Sequence, residues 1–437
     1  MEKLKLRYHP DDRPPWPELL LFGLQWLVVG MTSVIVTGKV VAGLHFDEPA
    51  LQVLYLQKLF FVVGFTQLLQ IFFGHRLPLV TGPATVLIVG ILAGMGRNID
   101  TIYTAIAAGG VLLWLLNLTG LFARISRLFT VRVVAAVLML IALTITPVIV
   151  RLITAAPSPH LILPQIGCAL VLLLCMLAAD RLLKGAWKAT MLLWAMVGGS
   201  VLVSLVFPPV AWQTHSGGSM ISHCFKELTL SPGWDPGLLI AFCICFMALA
   251  INDLGSVQAV GKLVKAQDMD RRISSSINMT GLANALAGFF GVIGSVSFSM
   301  STGLIASNGN ASRFTLIPAG LGLVCIAFLP DIAAFVWNVP GVVVGTALLY
   351  IMSAQLTAGL MVAFSTTRFS FQDGMIIAVP AMVSVVIAYL PPGAQEAMPR
   401  LLAPIVGNGF VMGVLTVLIL EHVLYRPARP DRGQPGP

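Results

Sequence analysis

Charge is scarce in this chain. Only 10% of its 437 residues are Asp, Glu, Lys or Arg and 57% are hydrophobic, whereas a soluble domain carries about 25% charged residues. Several separate apolar runs exceed the roughly 18 residues that mark a spanning helix, which excludes a single buried soluble core. The many runs behind the first also exclude reading that first one as a cleaved signal peptide. Acids are scarcer than bases, 18 against 26. The bases are nevertheless scattered in ones to fours between runs, a pattern that sets orientation in a bilayer and does not build a nucleic-acid face. Cysteine is sparse too. Cys168, Cys175, Cys243, Cys245 and Cys325 sit inside apolar spans, where a small polarisable side chain packs. Cys224 alone lies in a long loop, which argues against a disulfide framework. Its neighbours His215 and His223 match no tight metal-ligand spacing. A P-loop, an HExxH helix and a serine hydrolase elbow are all missing, so the sequence points away from an enzyme and implies no cofactor.

What is present is a succession of about fourteen membrane segments, near residues 17–43, 50–73, 78–95, 101–123, 130–151, 160–180, 189–207, 237–261, 274–293, 296–309, 314–335, 338–364, 370–391 and 402–425. The bases test the count. With a cytoplasmic N-terminus, twenty of the 26 Lys and Arg fall in inside loops; Arg97, Arg151, Lys226 and Arg400 fall outside, and Lys39 and Lys58 lie within spans. That is a strong positive-inside asymmetry, and losing one segment would reverse every loop beyond it. Lys39 and Lys58 are expected to snorkel. The chain thus reads as an all-α, multi-pass protein of the plasma (inner) membrane, both termini cytoplasmic: an N-terminus 1–16, a first repeat 17–207, an extracytoplasmic loop 208–236, a second repeat 237–425 and a tail 426–437. Seven segments either side of the loop force the two halves into opposite orientations, the inverted-repeat plan of many secondary transporters.

The chain is organised around Leu238 to Arg313. Asp253 is the acid in the middle of an apolar span there, and ionisable residues at that depth are functional candidates. Beyond it, SVSFSMSTGLIASNG is too short and too polar to cross. Its counterpart in the first half, LPLVTGPATVLIVGIL, is interrupted by Gly82-Pro83. Interrupted segments at matching positions are the best sequence pointer to a transporter site near the midplane. Their N-termini are expected to present unpaired N–H groups to substrate oxygens.

At these residues the chain resembles the nucleobase–ascorbate transporter family, the nucleobase:cation symporters that include xanthine and uracil permeases. Met300-Ser301-Thr302-Gly303-Leu304-Ile305-Ala306-Ser307-Asn308-Gly309, followed by Ser312-Arg313, corresponds to the family signature of the tenth segment. Gly303, Gly309, Ser312 and Arg313 fit it; Met300, Ser301 and Asn308 depart from it. The glycines of Gly281 to Gly291 resemble the close-packing ninth helix. Where the family carries a base-binding Glu in the eighth segment this chain has Asn252, a second carboxylate or amide is replaced by Met300, and a usual Gln-His is Gln25-Trp26. The resemblance implies a divergent member with a core of segments 1–4 and 8–11 and a gate of segments 5–7 and 12–14.

The resulting expectation is a secondary transporter of a purine, pyrimidine or similar planar heterocycle, coupled to protons, with substrate between segments 3, 8 and 10. Candidate substrate residues are Thr85, Asn252, Asp253, Ser256, Ser299, Met300 and Ser301, backbone N–H groups supplying the polarity that the missing Glu would have given. Each has a plainer reading. Asp253 also suits a structural acid bonded to unwound backbone; Asn252 points about 100° away from it on the helix; Met300 packs; serines satisfy membrane backbone. Asp253 is the expected proton-coupling group, because a carboxylate without a cationic partner is costly in low dielectric. The alternative is a transporter or channel for inorganic anions or small carboxylates, which should place a cation near Ser299 to Gly303; the sequence has none there. Protons, a small heterocycle and the lipid bilayer are the expected partners, with no metal, no nucleic acid, and a homodimer left open.

Overall fold

The computed structural model describes residues 6–425 apart from 157, 208–227, 230, 330–331, 333–337, 366–368, 392–397 and 400. The loop residues His215, His223 and Cys224, the bases Lys3, Lys5, Lys226, Arg368 and Arg400, and the tail 426–437 therefore lie outside the described residues. The first half contains α1 (Trp16–His45), α2 (Pro49–Phe72), strand β1 (Thr81–Pro83), α3 (Thr85–Ala93), α4 (Ile99–Leu118), α5 (Leu121–Ile125), α6 (Val131–Ile153), α7 (Ile162–Leu182), α8 (Gly185–Ala189) and α9 (Met191–Val206). The second contains α10 (Pro236–Val264), α11 (Met269–Phe289), strand β2 (Ser295–Ser297), α12 (Ser301–Asn308), α13 (Leu316–Ala327), α14 (Gly341–Ala363), α15 (Phe371–Ala388), α16 (Ala403–Val406) and α17 (Gly409–Ile419), which runs into a π turn, Leu420–Leu424.

Starts are written locally. Proline opens α1, α2 and α10, where its missing N–H costs nothing. Asn98 caps α4, Asp235 caps α10, and Ser370 with Asp373 makes a capping box on α15. Among the described residues, eight helices are long and apolar enough to cross a membrane. Their outward faces carry bare apolar side chains such as Leu163, Leu174 and Phe371, which only lipid can cover at this density. This is a multi-pass membrane protein. Helix α11 does not qualify as a span by composition because it is polar: Ser276, Thr280 and Asn284, four residues apart, form a stripe that is fully buried.

Packing relates the halves pairwise. Helix α4 lies along α11 as α13 lies along α2, and α10 meets α4 as α1 meets α13. The first contact is close because it is glycine-lined. A Cβ on Gly110 would sit 2.5 Å from the Ala285 nitrogen, and one on Gly288 would sit 2.4 Å from that of Ala107. A second group packs α14 on α6, and α15 on α6 and α17. At one end of this group Arg132, at the start of α6, bonds Asp373, at the start of α15, at 2.6 Å and Glu421, in the π turn after α17, at 2.9 and 3.0 Å.

Candidate functional site

The two interrupted segments meet. Strand β1 pairs antiparallel with β2, Thr81 opposite Ser297, Gly82 opposite Val296 and Pro83 opposite Ser295. The ladder continues through Ala84 N–H to the Gly294 carbonyl at 2.8 Å and Phe298 N–H to the Val80 carbonyl at 2.9 Å. Each strand runs straight into a half-helix, α3 and α12, so two helix N-termini lie beside one two-stranded crossing. Gly82 is required by close approach: a Cβ there would fall 2.3 Å from the Phe298 ring.

Side chains satisfy what such short strands leave open. Gln67 accepts from Thr81 N–H at 2.7 Å and donates to the Leu79 carbonyl at 2.9 Å. Ser301 Oγ accepts from Val80 N–H at 3.0 Å and donates to the Phe298 carbonyl at 2.9 Å. Asn284 donates to the Thr280 and Ser295 carbonyls at 2.7 and 2.9 Å.

Asp253 sits inside this network, with no exposed surface. Oδ2 accepts from the Ser276 and Thr280 hydroxyls at 2.9 and 3.0 Å, and Oδ1 from Ser297 N–H at 3.3 Å. The chain continues to Gln70, whose Nε2 donates to Thr280 Oγ1 at 2.9 Å and to the Ser276 carbonyl at 3.1 Å. Beyond it is His75, outside the spans, whose Nδ1 accepts from Leu77 N–H at 2.9 Å. Burial, with Arg272 nearby, lowers the His75 pKa to about 3. The imidazole is therefore neutral, with its proton on Nε2. Ser276, Thr280, Asn284, Gln67 and Gln70 were not among the sequence candidates. The i, i+4, i+8 repeat of polar residues on α11 was a legible signal for three of them.

The seven sequence candidates separate. Met300 and Ser301 line a cleft of about 380 Å³ with Thr302, Gly303, Leu304, Trp26 and Val29 on one side and Asp180, Gly185, Lys188, Met191, Leu192, Tyr350 and Ala354 on the other. Ser299 is exposed at its edge in sequence, whereas Thr85 and Asn252 are half-buried and do not line it. Ser256 is buried and donates to the Asn252 carbonyl at 2.9 Å. Asp253 faces α11 and β2, away from the cleft.

Three sequence expectations need correction. The N-terminus of α12 does not offer free donors: Ser301, Thr302 and Gly303 N–H groups close on the Phe298, Ser299 and Met300 carbonyls at 3.3, 3.1 and 3.0 Å. Tight i to i−3 turns have taken up the orphan groups. A cation does reach the stretch from Ser299 to Gly303, because the fold brings Lys188 to the same cleft; linear distance along the chain concealed it. Lys39 does not snorkel to solvent. Its ammonium donates to the Val339 carbonyl, joining α1 to the segment before α14. The signature residues have a structural use. Arg313 bonds Asp11 and the Ile71 carbonyl at 2.9 and 3.0 Å, and Ser312 bonds the Asp12 carbonyl at 2.6 Å, fastening the N-terminal segment under α12.

Comparisons with known proteins agree with this architecture. The sequence pattern described as "Permease family", that of xanthine and uracil permeases, matches residues 17–393. A xanthine permease of Bacillus subtilis (strain 168) is 23% identical over 412 residues, 92% of this chain and 93% of its own. A uric acid transporter of Escherichia coli (strain K12) is 23% identical, over 92% of this chain and 85% of its own. Among solved structures, the transmembrane domain of a cyanobacterial bicarbonate transporter superposes with a TM-score of 0.60 over 88% of this chain and 96% of that one; at 14% identity the likeness is one of fold. With most of its length matched, the chain belongs to the xanthine/uracil permease family as a divergent member, a membrane transporter and not an enzyme.

Proposed function

We propose that this chain is a secondary transporter of a nucleobase or similar planar heterocycle, held between the third, eighth and tenth segments and driven by protons. The observation that carries the reading is the crossing itself: two half-helices start back to back beside α10, and a cleft of about 380 Å³ opens on the first turn of α12. That volume lies in the range of small-molecule sites, roughly 300–1,000 Å³. Relatives that transport xanthine and uric acid by name support the substrate class. The ring lies flat against Met300 and Trp26, which line the cleft, with the exposed Ser299 at its edge. The pairwise packing of the halves supports seven-plus-seven inverted repeats, with α1–α4 and α10–α13 as the core and α6–α9 and α14–α17 as the gate, both termini in the cytoplasm of a plasma (inner) membrane.

Coupling rests on Asp253. Its carboxylate ties α10 to both α11 and β2. Protonation exchanges one acceptor oxygen for a donor, so either the Ser276 or Thr280 hydroxyl reverses to accept from it or Ser297 N–H loses its acceptor, and proton uptake is thereby linked to the bonds that hold the crossing. In proteoliposomes an inward proton gradient should drive saturable uptake of xanthine, urate or uracil, while Asp253→Asn should keep substrate exchange and lose uphill accumulation. An Asp253→Asn protein that concentrates substrate with the wild-type dependence on external pH makes Asp253 a structural pin. Gradient-driven uptake of bicarbonate or sulfate, with none of any heterocycle, moves the protein to the anion reading.

A further inference from the structure

The cleft has one charged wall. Asp180, at the end of α7, and Lys188, in α8, pair at 2.9 Å with side chains 42% and 48% exposed. The ammonium also donates to the Asp180 carbonyl at 2.8 Å, and Tyr350 of α14 lines the same cleft. All three line the cleft opposite Met300 and Thr302. That opposite wall is poor in recognition groups. Met300 offers only a thioether, the Ser301 hydroxyl is engaged at both lone pair and proton, and the first N–H groups of α12 are bonded within their own turns. Polar discrimination has to come from the charged wall. An exposed ion pair contributes little to stability, so a ligand that replaces both of its hydrogen bonds opens it at little cost.

We propose that Asp180 and Lys188 are the specificity-determining groups of this cleft, and that they select a lactam edge, the adjacent N–H and C=O of an oxopurine or oxopyrimidine. The N–H donates to the Asp180 carboxylate and the C=O accepts from the Lys188 ammonium, each replacing one half of the existing pair. This rests on the nucleobase reading and narrows it. A neutral pair suits a neutral lactam; the carboxylate repels an anion that Lys188 alone would attract; and a base without an oxo group breaks the Asp180–Lys188 pair without giving the ammonium an acceptor in exchange.

The test is calorimetric binding to the purified full chain, with xanthine and uracil as lactam ligands and adenine and bicarbonate as comparators. Wild type should bind a lactam and prefer it to adenine. Asp180→Asn and Lys188→Gln should each weaken lactam binding by about tenfold or more, the usual effect of losing a charge-assisted hydrogen bond. Asp180→Asn should at the same time strengthen bicarbonate binding, a change of ranking that a merely structural role would not produce. The exchanged variant, Asp180→Lys with Lys188→Asp, restores both groups at the wall and should recover part of the lactam affinity. Wild-type lactam binding unchanged in both single variants, or weakened equally for every ligand, overturns the assignment while leaving the nucleobase reading standing. Wild type that binds no heterocycle overturns both.

Discussion

Removing the acceptor at Asp253 should expose how much of the crossing depends on it. Three buried donors converge on the carboxylate, two hydroxyls at 2.9 and 3.0 Å and one backbone N–H at 3.3 Å. In Asp253→Ala the Ser276 and Thr280 hydroxyls can turn back to carbonyls of their own helix, but Ser297 N–H is fixed by the strand and stays unpaired. An unsatisfied buried donor costs about 1–3 kcal/mol, and the cavity left by the side chain adds to it, so the total should be about 3 kcal/mol or more. Asp253→Asn keeps one acceptor oxygen for Ser297 N–H, and one hydroxyl can reverse to accept from the amide; the cost should be about 1 kcal/mol. Thermal unfolding of the purified protein, followed by tryptophan fluorescence, should therefore rank wild type above Asp253→Asn and that above Asp253→Ala. An alanine variant that melts with wild type would show that the carboxylate does not hold the crossing, and the coupling argument built on that clasp would fall with it.

Other positions give independent checks. Gly82→Val puts a branched side chain where a single Cβ already falls 2.3 Å from the Phe298 ring; the strands should part and substrate binding should be lost, with Gly82→Ala intermediate, and normal binding by the valine variant would contradict the pairing. Arg132→Ala leaves Glu421, only 3% exposed, without its cation. A buried charge deprived of its partner costs about 3–5 kcal/mol, so melting should fall sharply, and Arg132→Lys, which has no fork to serve Asp373 and Glu421 together, should recover only part of it. Full recovery with lysine would refute the bidentate role. His75 is held neutral with its pKa lowered to about 3, against about 6.5 unfolded. The unfolded chain thus takes up the proton first; stability is complete above about pH 6.5 and is lost progressively as pH falls from there towards 3. His75→Gln should flatten that slope in melting curves from pH 7 to 4, and an unchanged slope would assign it to another group.

Much of this was legible in the sequence, for reasons that differ by residue. Hydropathy located the eight long apolar helices because lipid imposes a length, and Gly82-Pro83 and the serine-rich run from Ser295 marked the interruptions because neither can continue a helix of apolar side chains. Asp253 stood out by chemistry. Its direction did not, since one helical position decides between cleft and α11, and rotation within a span is set by packing partners that no local pattern names. Helix α11 could have supplied them, for Ser276, Thr280 and Asn284 repeat at helical spacing, but a polar stripe looks the same whether it faces water or an acid. Lys188 was hidden by more than a hundred residues of chain between it and Met300. The donors at the start of α12 were misjudged for another reason: three-residue turns depend on dihedral angles that Ser and Thr permit without requiring.

The crossing also constrains how access to the cleft can change. Thr81 to Pro83 and Ser295 to Ser297 share one ladder, Gln67 ties that ladder to α2, and Asp253 ties it to α10 and α11. Any displacement of α12 alone would break several of these buried bonds at once, each costing far more than an exposed contact. The opposite wall of the cleft, Asp180, Lys188 and Tyr350, hangs on α7, α8 and α14, and α14 is packed on α6. The cheapest motion therefore slides one wall past the other and leaves the crossing whole. Such a motion changes the gap between Met300 and the charged wall, so the ring proposed to bridge the two would be gripped in one position and freed in the next. Under the proposed function, substrate affinity would then follow the position of that wall, which a transporter that alternates access requires.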